Sequence, residues 1–155
     1  MKIDNHFDVI IIGAGAAGLI CAMESGKRGK SVLLIDHSKK IGEKIRISGG
    51  GRCNFTNLNT HHSKFISKNN KFMVSALSQY TQYDFIKLVE SHKIKFHEKK
   101  LGQLFCDESS QQIIDMLLAE CEKSGVTLLK DKIVSNIIKN ENSYSIDLGD
   151  TSYTS

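Results

Sequence analysis

The chain has 155 residues, 40% of them hydrophobic and 25% charged, with a formal net charge of +4. That length makes about one domain, and the composition is that of a globular protein rather than a disordered or fibrous one. The charge comes from 18 lysines spread along the chain rather than from a basic block, which sets nucleic acid aside as a partner. No run reaches the ~20 apolar residues of a membrane span, so no membrane partner is expected.

The first element is a short apolar run, Val9 to Ile12, which reads as a buried parallel strand. It leads into a glycine turn rather than a small-residue cleavage site, so it is not a signal peptide and a cytoplasmic location is expected. Gly13, Gly15 and Gly18 follow at G-x-G-x-x-G spacing. A helical stretch then runs to about Arg28, and a second apolar run, Val32 to Ile35, ends in Asp36. This strand–turn–helix–strand context is what a glycine pattern needs before it counts as a dinucleotide fingerprint. Gly13 permits the tight turn, Gly15 lets a pyrophosphate approach the backbone, and Gly18 lets the helix pack close to the sheet. Free N–H groups and the helix dipole at the helix start favour a bound diphosphate. Asp36 is placed to accept hydrogen bonds from a ribose. It would repel a 2′-phosphate, so FAD or NAD is favoured over NADP.

Ile41 to Asn57, IGEKIRISGGGRCNFTN, is the second informative segment, and it carries two of the three arginines, Arg46 and Arg52. Gly49-Gly50-Gly51 cannot be a stable helix or strand interior, because three glycines lose too much backbone entropy on ordering. A backbone that passes close to a flat ring or a phosphate would reward that ordering. Arg52, Asn54 and Asn57 add donors suited to phosphate, ribose or flavin carbonyl oxygens.

Residues 58–70 are polar and read as loop. A short helix is predicted from Lys71 to Gln79. Thr81 with Asp84 resembles a capping box for a second helix, with Phe85, Leu88 and Val89 on its apolar face. Tyr80, Tyr83 and Phe85 are read as packing residues. Lys93 to Phe105 alternates apolar and charged residues and suggests a short strand pair. Ser109 and Gln112 offer a capping box for a helix to Lys123, Gly125 suits its C-terminal turn, and Val126 to Leu129 follows as an apolar strand. Helix, glycine and strand in that order make a crossover back to the parallel sheet. Ile133–Ile138 and Tyr144–Leu148 read as a hairpin. Cys21 and Cys121 are read as small core residues. Neither the cysteines nor the dispersed histidines have metal-ligand spacing, so no metal site is expected.

DVIIIGAGAAGL together with ISGGGRCNFTN resembles the bacterial NAD(P)/FAD-dependent oxidoreductases of the YhiN/BaiN type, also labelled aminoacetone-oxidase-like flavoproteins. The GGGRCN-x-TN string is specific to them, whereas the glycine turn is shared by all two-dinucleotide-binding flavoproteins. The resemblance runs through the whole chain, although LGQLFC at 101–106 has Gln103 and Cys106 where the family has Arg and Pro. It implies that Gly13, Gly15, Ala16, Ala17, Gly18, Asp36, Lys44, Ser48, Gly49, Arg52, Cys53 and Asn54 line an FAD, and that Val134 passes its adenine. It also implies a chain cut short. Family members run on to a further strand and a glycine-rich segment that covers the flavin, so this chain would be the N-terminal third, with a second polypeptide as one source of the rest.

The expected fold class is α/β: a Rossmann-like FAD/NAD(P)-binding domain over residues 1–155, with a parallel sheet, flanking helices and a β-hairpin or meander, C-terminally incomplete. The expected function is flavin-mediated hydride transfer, with FAD as cofactor and NAD(P)H as electron donor or a small organic molecule as substrate. The alternatives are an inactive remnant or dinucleotide-binding module, and an NAD-dependent dehydrogenase. No catalytic acid or base stands out. Cys53 is tempting as a redox thiol, since Arg52 and glycine N–H donors would lower its pKa. A positional role is favoured, because no resolving cysteine lies nearby in sequence.

Overall fold

The computed structural model describes residues 5–69 and 71–155. They fall into two compact units, Met1–Lys44 with Leu117–Ser155, and Ile45–Met116.

The first unit is built on a parallel sheet. Strand β1 (Val9–Ile12) leads through the glycine turn into helix α1 (Ala16–Lys27), and β2 (Val32–Ile35) returns beside β1. Strand β6 (Thr127–Leu129) lies on the other side of β2, giving the order β1-β2-β6. Every residue of β2 is buried, as a central parallel strand covered on both faces requires. On one face lie Leu19, Ala22 and Met23 of α1, all at most 1% exposed. The C-terminal half of α5 (Gln111–Lys123) meets α1, where the Cys121 thiol donates to the Leu19 carbonyl at 3.3 Å. The other face packs on an antiparallel meander, β7 (Asn136–Lys139), β8 (Tyr144–Asp147) and β9 (Ser152–Thr154). Leu33 and Ile35 bury themselves there against Ile146, with Phe7, Val134 and Tyr153 around them. The crossover, the parallel sheet and the hairpin therefore stand as the sequence predicts, and β9 extends the hairpin to a meander.

The second unit holds the antiparallel sheet β3-β5-β4, formed by β3 (Asn54–Asn57), β4 (Phe96–Glu98) and β5 (Gln103–Cys106). Helices α3 (Phe72–Gln79) and α4 (Gln82–Ser91) connect β3 to β4. The capping box of α4 is present: Asp84 N–H donates to Thr81 Oγ1 at 3.3 Å, and Thr81 N–H donates to Asp84 Oδ2 at 2.8 Å. Phe55 packs edge-on against Phe96, ring centroids 5.4 Å apart, and tilted against Phe85 at 6.0 Å. Phe85 is thus a packing residue as expected. Tyr83, on the face of α4 away from the sheet, is 54% exposed, and Tyr80, which caps the end of α3, is 38% exposed. The segment 41–57 is more regular than its sequence suggests, with a short helix α2 (Glu43–Ile47), a 3-10 turn (Ser48–Gly51) and then β3.

Candidate dinucleotide site

The sharp exit from β1 rests on Gly13, whose φ of +103° lies in the region that favours glycine. Helix α1 then begins without a cap. Gly15 offers no side chain to its first N–H groups, and the first turn holds no acidic residue. The N–H groups of Ala16, Ala17 and Gly18 therefore meet no intrahelical carbonyl. With the helix dipole they form an end that attracts an anion.

That end opens on a cleft of about 720 Å³ lined by Gly13, Gly15, Ala16, Ala17, Gly18, Asp36 and Lys44, among others. The glycines differ in what they make room for. A Cβ on Gly15 meets nothing within 4 Å, so it would stand in the cleft itself. A Cβ on Gly18 would collide with the Gly13 carbonyl and lie 3.5 Å from Ile11 Cγ2. Gly18 is thus fixed by packing inside the protein, while Gly15 keeps the cleft open. The ammonium of Lys44 has no ion-pair partner among the described residues, which leaves its charge for the cleft.

Asp36 is 8% exposed and fastens the cleft wall. Its Oδ2 accepts the Ala14 N–H at 2.6 Å and its Oδ1 accepts the Ser38 N–H at 2.7 Å. This tether between the end of β2 and the glycine turn is absent from the sequence reading. A carboxylate has about four lone-pair positions, so two remain for hydroxyl donors. A neighbouring cavity of about 230 Å³ shares Ile12, Gly13 and His37 with the cleft and is also lined by Ile133 and Val134. Ile12 and Ile133 are 51% and 72% exposed there, an apolar lining suited to a flat ring.

Cys21 is not the core residue expected. It is exposed and lines the cleft, because the buried stripe of α1 runs through Leu19, Ala22 and Met23 and leaves position 21 outside it. Ile12, Lys40 and Glu43 also line the cleft. No spacing in the sequence marks Lys40, which lies in irregular backbone between β2 and α2.

In the second unit, Ser48, Gly49, Arg52, Cys53 and Asn54 form the 3-10 turn and the entry to β3. Gly49, Gly50 and Gly51 have φ of +60°, +67° and +88°. Hydrogen bonds hold this backbone: Cys53 N–H to the Ser48 carbonyl (3.0 Å), Ser110 N–H to the Gly51 carbonyl (2.7 Å) and Cys106 N–H to the Arg52 carbonyl (3.0 Å). The guanidinium of Arg52 makes no hydrogen bond or ion pair among the described residues. Asn57 is engaged elsewhere, donating to the Leu101 carbonyl at 3.0 Å and accepting the Asn59 N–H at 2.8 Å.

The thiols give no support to the redox alternative for Cys53. Burial, and after it the neighbouring Cys106, push the Cys53 thiol up to about 12. Burial first, then Asp107, push Cys106 up to about 11. Desolvation outweighs any help from Arg52 and the glycine N–H groups, so Cys53 is a protonated thiol at neutral pH. A second cysteine does lie beside it, brought there by the β3–β5 pairing.

Residues 7–155 match the family model described as the HI0933-like protein Rossmann domain. The chain belongs to the HI0933-like Rossmann-domain family. This HI0933-like chain is 55% identical over 144 residues to the ribosomal RNA dihydrouridine synthase of Escherichia coli, a match that covers 93% of the chain and 36% of the relative. It thus spans about a third of that relative's length. Among solved structures, 3-ketosteroid-Δ4-(5α)-dehydrogenase from Rhodococcus jostii RHA1 matches with a TM-score of 0.66 and 14% identity over 99% of this chain and 44% of that one. The halogenase PltM, solved with phloroglucinol and FAD, matches with a TM-score of 0.55 and 20% identity over 96% and 32%. At such identities these likenesses show the fold alone, a Rossmann-like α/β domain. Among the described residues of the HI0933-like chain, no helix is long and apolar enough to cross a membrane.

Proposed function

We propose that this chain holds FAD and belongs to a flavin-dependent reductase whose substrate is a uridine of ribosomal RNA, with NAD(P)H as electron donor. The 55% identity across nearly the whole chain carries the reading. When bound, FAD supplies the hydride. Saturating the uracil 5,6 double bond takes one hydride at C6, which is conjugated to the C4 carbonyl, and one proton at C5. Each turnover therefore consumes one NAD(P)H and one proton.

The residues fit the cofactor. The uncapped N–H groups of Ala16, Ala17 and Gly18 receive the diphosphate, with Lys44 adding charge. Asp36 accepts the ribose hydroxyls on its remaining lone pairs. Ile12, Ile133 and Val134 face the adenine. Ser48, Gly49, Arg52, Cys53 and Asn54 serve the flavin end, where the unpaired guanidinium of Arg52 suits a carbonyl oxygen or a phosphate.

The charge also fits, once it is divided between the units. By sequence, the first unit has eleven Lys and Arg against eleven Asp and Glu, while the second has ten against six. The whole net charge of +4 therefore belongs to residues 45–116. The scatter that sets nucleic acid aside in the sequence conceals this division.

Two measurements test the reading: flavin fluorescence on titrating the chain with FAD, and mass spectrometry of dihydrouridine in the ribosomal RNA of E. coli that lacks its own synthase and receives the protein carrying this chain. FAD binding and restored dihydrouridine are expected. FAD binding without dihydrouridine overturns the substrate, and absence of FAD binding overturns the cofactor.

A further inference from the structure

The second unit contains a cavity of about 490 Å³ that the dinucleotide site does not use, lined by Asn57, Asn59, Thr60, Lys64, Phe65 and Leu101. Its volume lies within the range of small-ligand sites, about 300–1,000 Å³. We propose that this cavity receives one unstacked nucleotide of an RNA strand, with the base on Phe65, its edge on Asn59 and its phosphate at Lys64. The proposal rests on the RNA reading given above and names the surface that serves it.

Four observations carry it. First, Phe65 is 41% exposed and makes no ring contact among the described residues, so an exposed aromatic ring lines the cavity beside amide and hydroxyl side chains. Single-stranded RNA is recognised through splayed bases stacked on such rings and hydrogen-bonded along their edges. Second, the amides are fixed in place. Asn57 and Asn59 both donate to the Leu101 carbonyl, at 3.0 and 3.4 Å, and Thr60 Oγ1 donates to the Asn57 carbonyl at 2.7 Å. Asn59 keeps its Oδ1 and one N–H free of protein partners, an acceptor–donor pair that matches a base edge.

Third, the cavity lip is strained. Leu101 is 79% exposed with φ +54°, a conformation rare for a leucine. Gly102 follows because a Cβ there would stand 2.6 Å from Asn59 Nδ2 and 2.8 Å from Asn57 Oδ1. Strain of this kind collects at ligand clamps. Fourth, the charge is one-sided. From Ile45 to Tyr83 there is no Asp or Glu but there are five Lys and Arg, and Lys64 has no ion-pair partner among the described residues. A carboxylate does stand at the lip, that of Glu98, and its Oε1 accepts the Gly102 N–H at 3.0 Å.

The test is fluorescence anisotropy of a labelled oligouridylate of about ten nucleotides, within the site sizes of single-strand binders, titrated with the chain in the presence of FAD. Phe65→Ala is expected to weaken binding about 5- to 150-fold, the loss of one stacked base. Phe65→Tyr is expected to keep it. Lys64→Ala is expected to reduce the salt dependence by a slope of about 0.7, one phosphate contact on a single strand. Flavin affinity is expected to be the same in all three. A parent that binds RNA while Phe65→Ala and Lys64→Ala bind it equally well overturns the cavity and leaves the RNA reading standing. A parent that holds FAD but binds no RNA overturns both. Uridine monophosphate competing as well as the oligonucleotide turns the cavity into a mononucleotide site and overturns the strand assignment.

Discussion

The two units handle charge in opposite ways. In the first, Lys27, Arg28, Lys30, Lys39, Lys123 and Lys132 each lie within 4 Å of a carboxylate oxygen, and basic and acidic residues balance. In the second, none of the eight lysines has an ion-pair partner among the described residues. Exposed ion pairs add little stability, a median of about 0–1 kcal/mol each, so pairing in the first unit is no sign of robustness. It lowers the field around a site that needs one local anion subsite and nothing more. Unpaired lysines do the reverse, leaving a field that a polyanion answers by releasing its counterions. The lesson is that net charge informs only when it is assigned to a folded body.

Substitutions can break that comparison, beginning with the largest effect. Gly18→Val places side-chain atoms against the Gly13 carbonyl, so the first unit is expected to lose at least about 3 kcal/mol, the upper end of ordinary overpacking. Urea denaturation followed by circular dichroism measures it, and near-parental stability would mean that α1 does not pack as described. Gly15→Val fills open space instead. The protein is expected to fold normally and to lose FAD while its RNA affinity is unchanged, and a parallel loss of both would show that the units do not divide the work. Asp36→Ala removes a ribose acceptor and is expected to weaken FAD about 10- to 150-fold, from 1.5–3 kcal/mol for a hydrogen bond to a charged group. It also strands the Ala14 and Ser38 N–H groups. A stability loss without an affinity loss would make Asp36 a tether alone.

Two smaller effects sharpen the contrast. Thr81→Ala is expected to cost about 1 kcal/mol, the loss of a helix cap. The Thr81 hydrogen bonds, from the side chain first and then the backbone, hold the Asp84 carboxyl below its usual value. That contribution is present above the unfolded carboxylate pKa and lost as pH falls below about 4. The gap between parent and variant is therefore expected to narrow in acid denaturation curves. The thiols behave oppositely. Those of Cys53 and Cys106 stay protonated to about 12 and about 11 in the folded state, while unfolded thiols ionise near 8.5. Stability is therefore expected to fall as pH rises above about 8.5. Alkylation at about pH 8, below that point, is expected to mark exposed Cys21 and spare Cys53 and Cys106, as peptide mass mapping will show. Ready labelling of Cys53 would place it at the surface.

The β1–α1–β2 stretch was legible because each of its signals is local: an apolar run, glycine spacing, and an acid at the strand end. The capping box of α4 was legible for the same reason. Strand β3 was not. Asn54 and Asn57 disfavour a strand on propensity, and the segment becomes one only by pairing with β5 about fifty residues away. That pairing also brings Cys106 beside Cys53 and sets Leu101 above Asn57, relations that no spacing in the chain announces. Helix α2 was missed because five residues are too few to display a period.

The run Gly49-Gly50-Gly51 carries one more consequence, which concerns handedness. Glycine is the one achiral residue, yet here three in succession take φ values that L-residues avoid and D-residues prefer. Hydrogen bonds from Ser110 and Cys53 impose that hand on a backbone with none of its own. In a chemically synthesised chain, D-alanine at Gly50 would adopt the observed φ without strain and narrow the unfolded ensemble, while L-alanine at the same position would oppose the fold. The protein has written a short mirror-image segment in the only natural residue able to encode it.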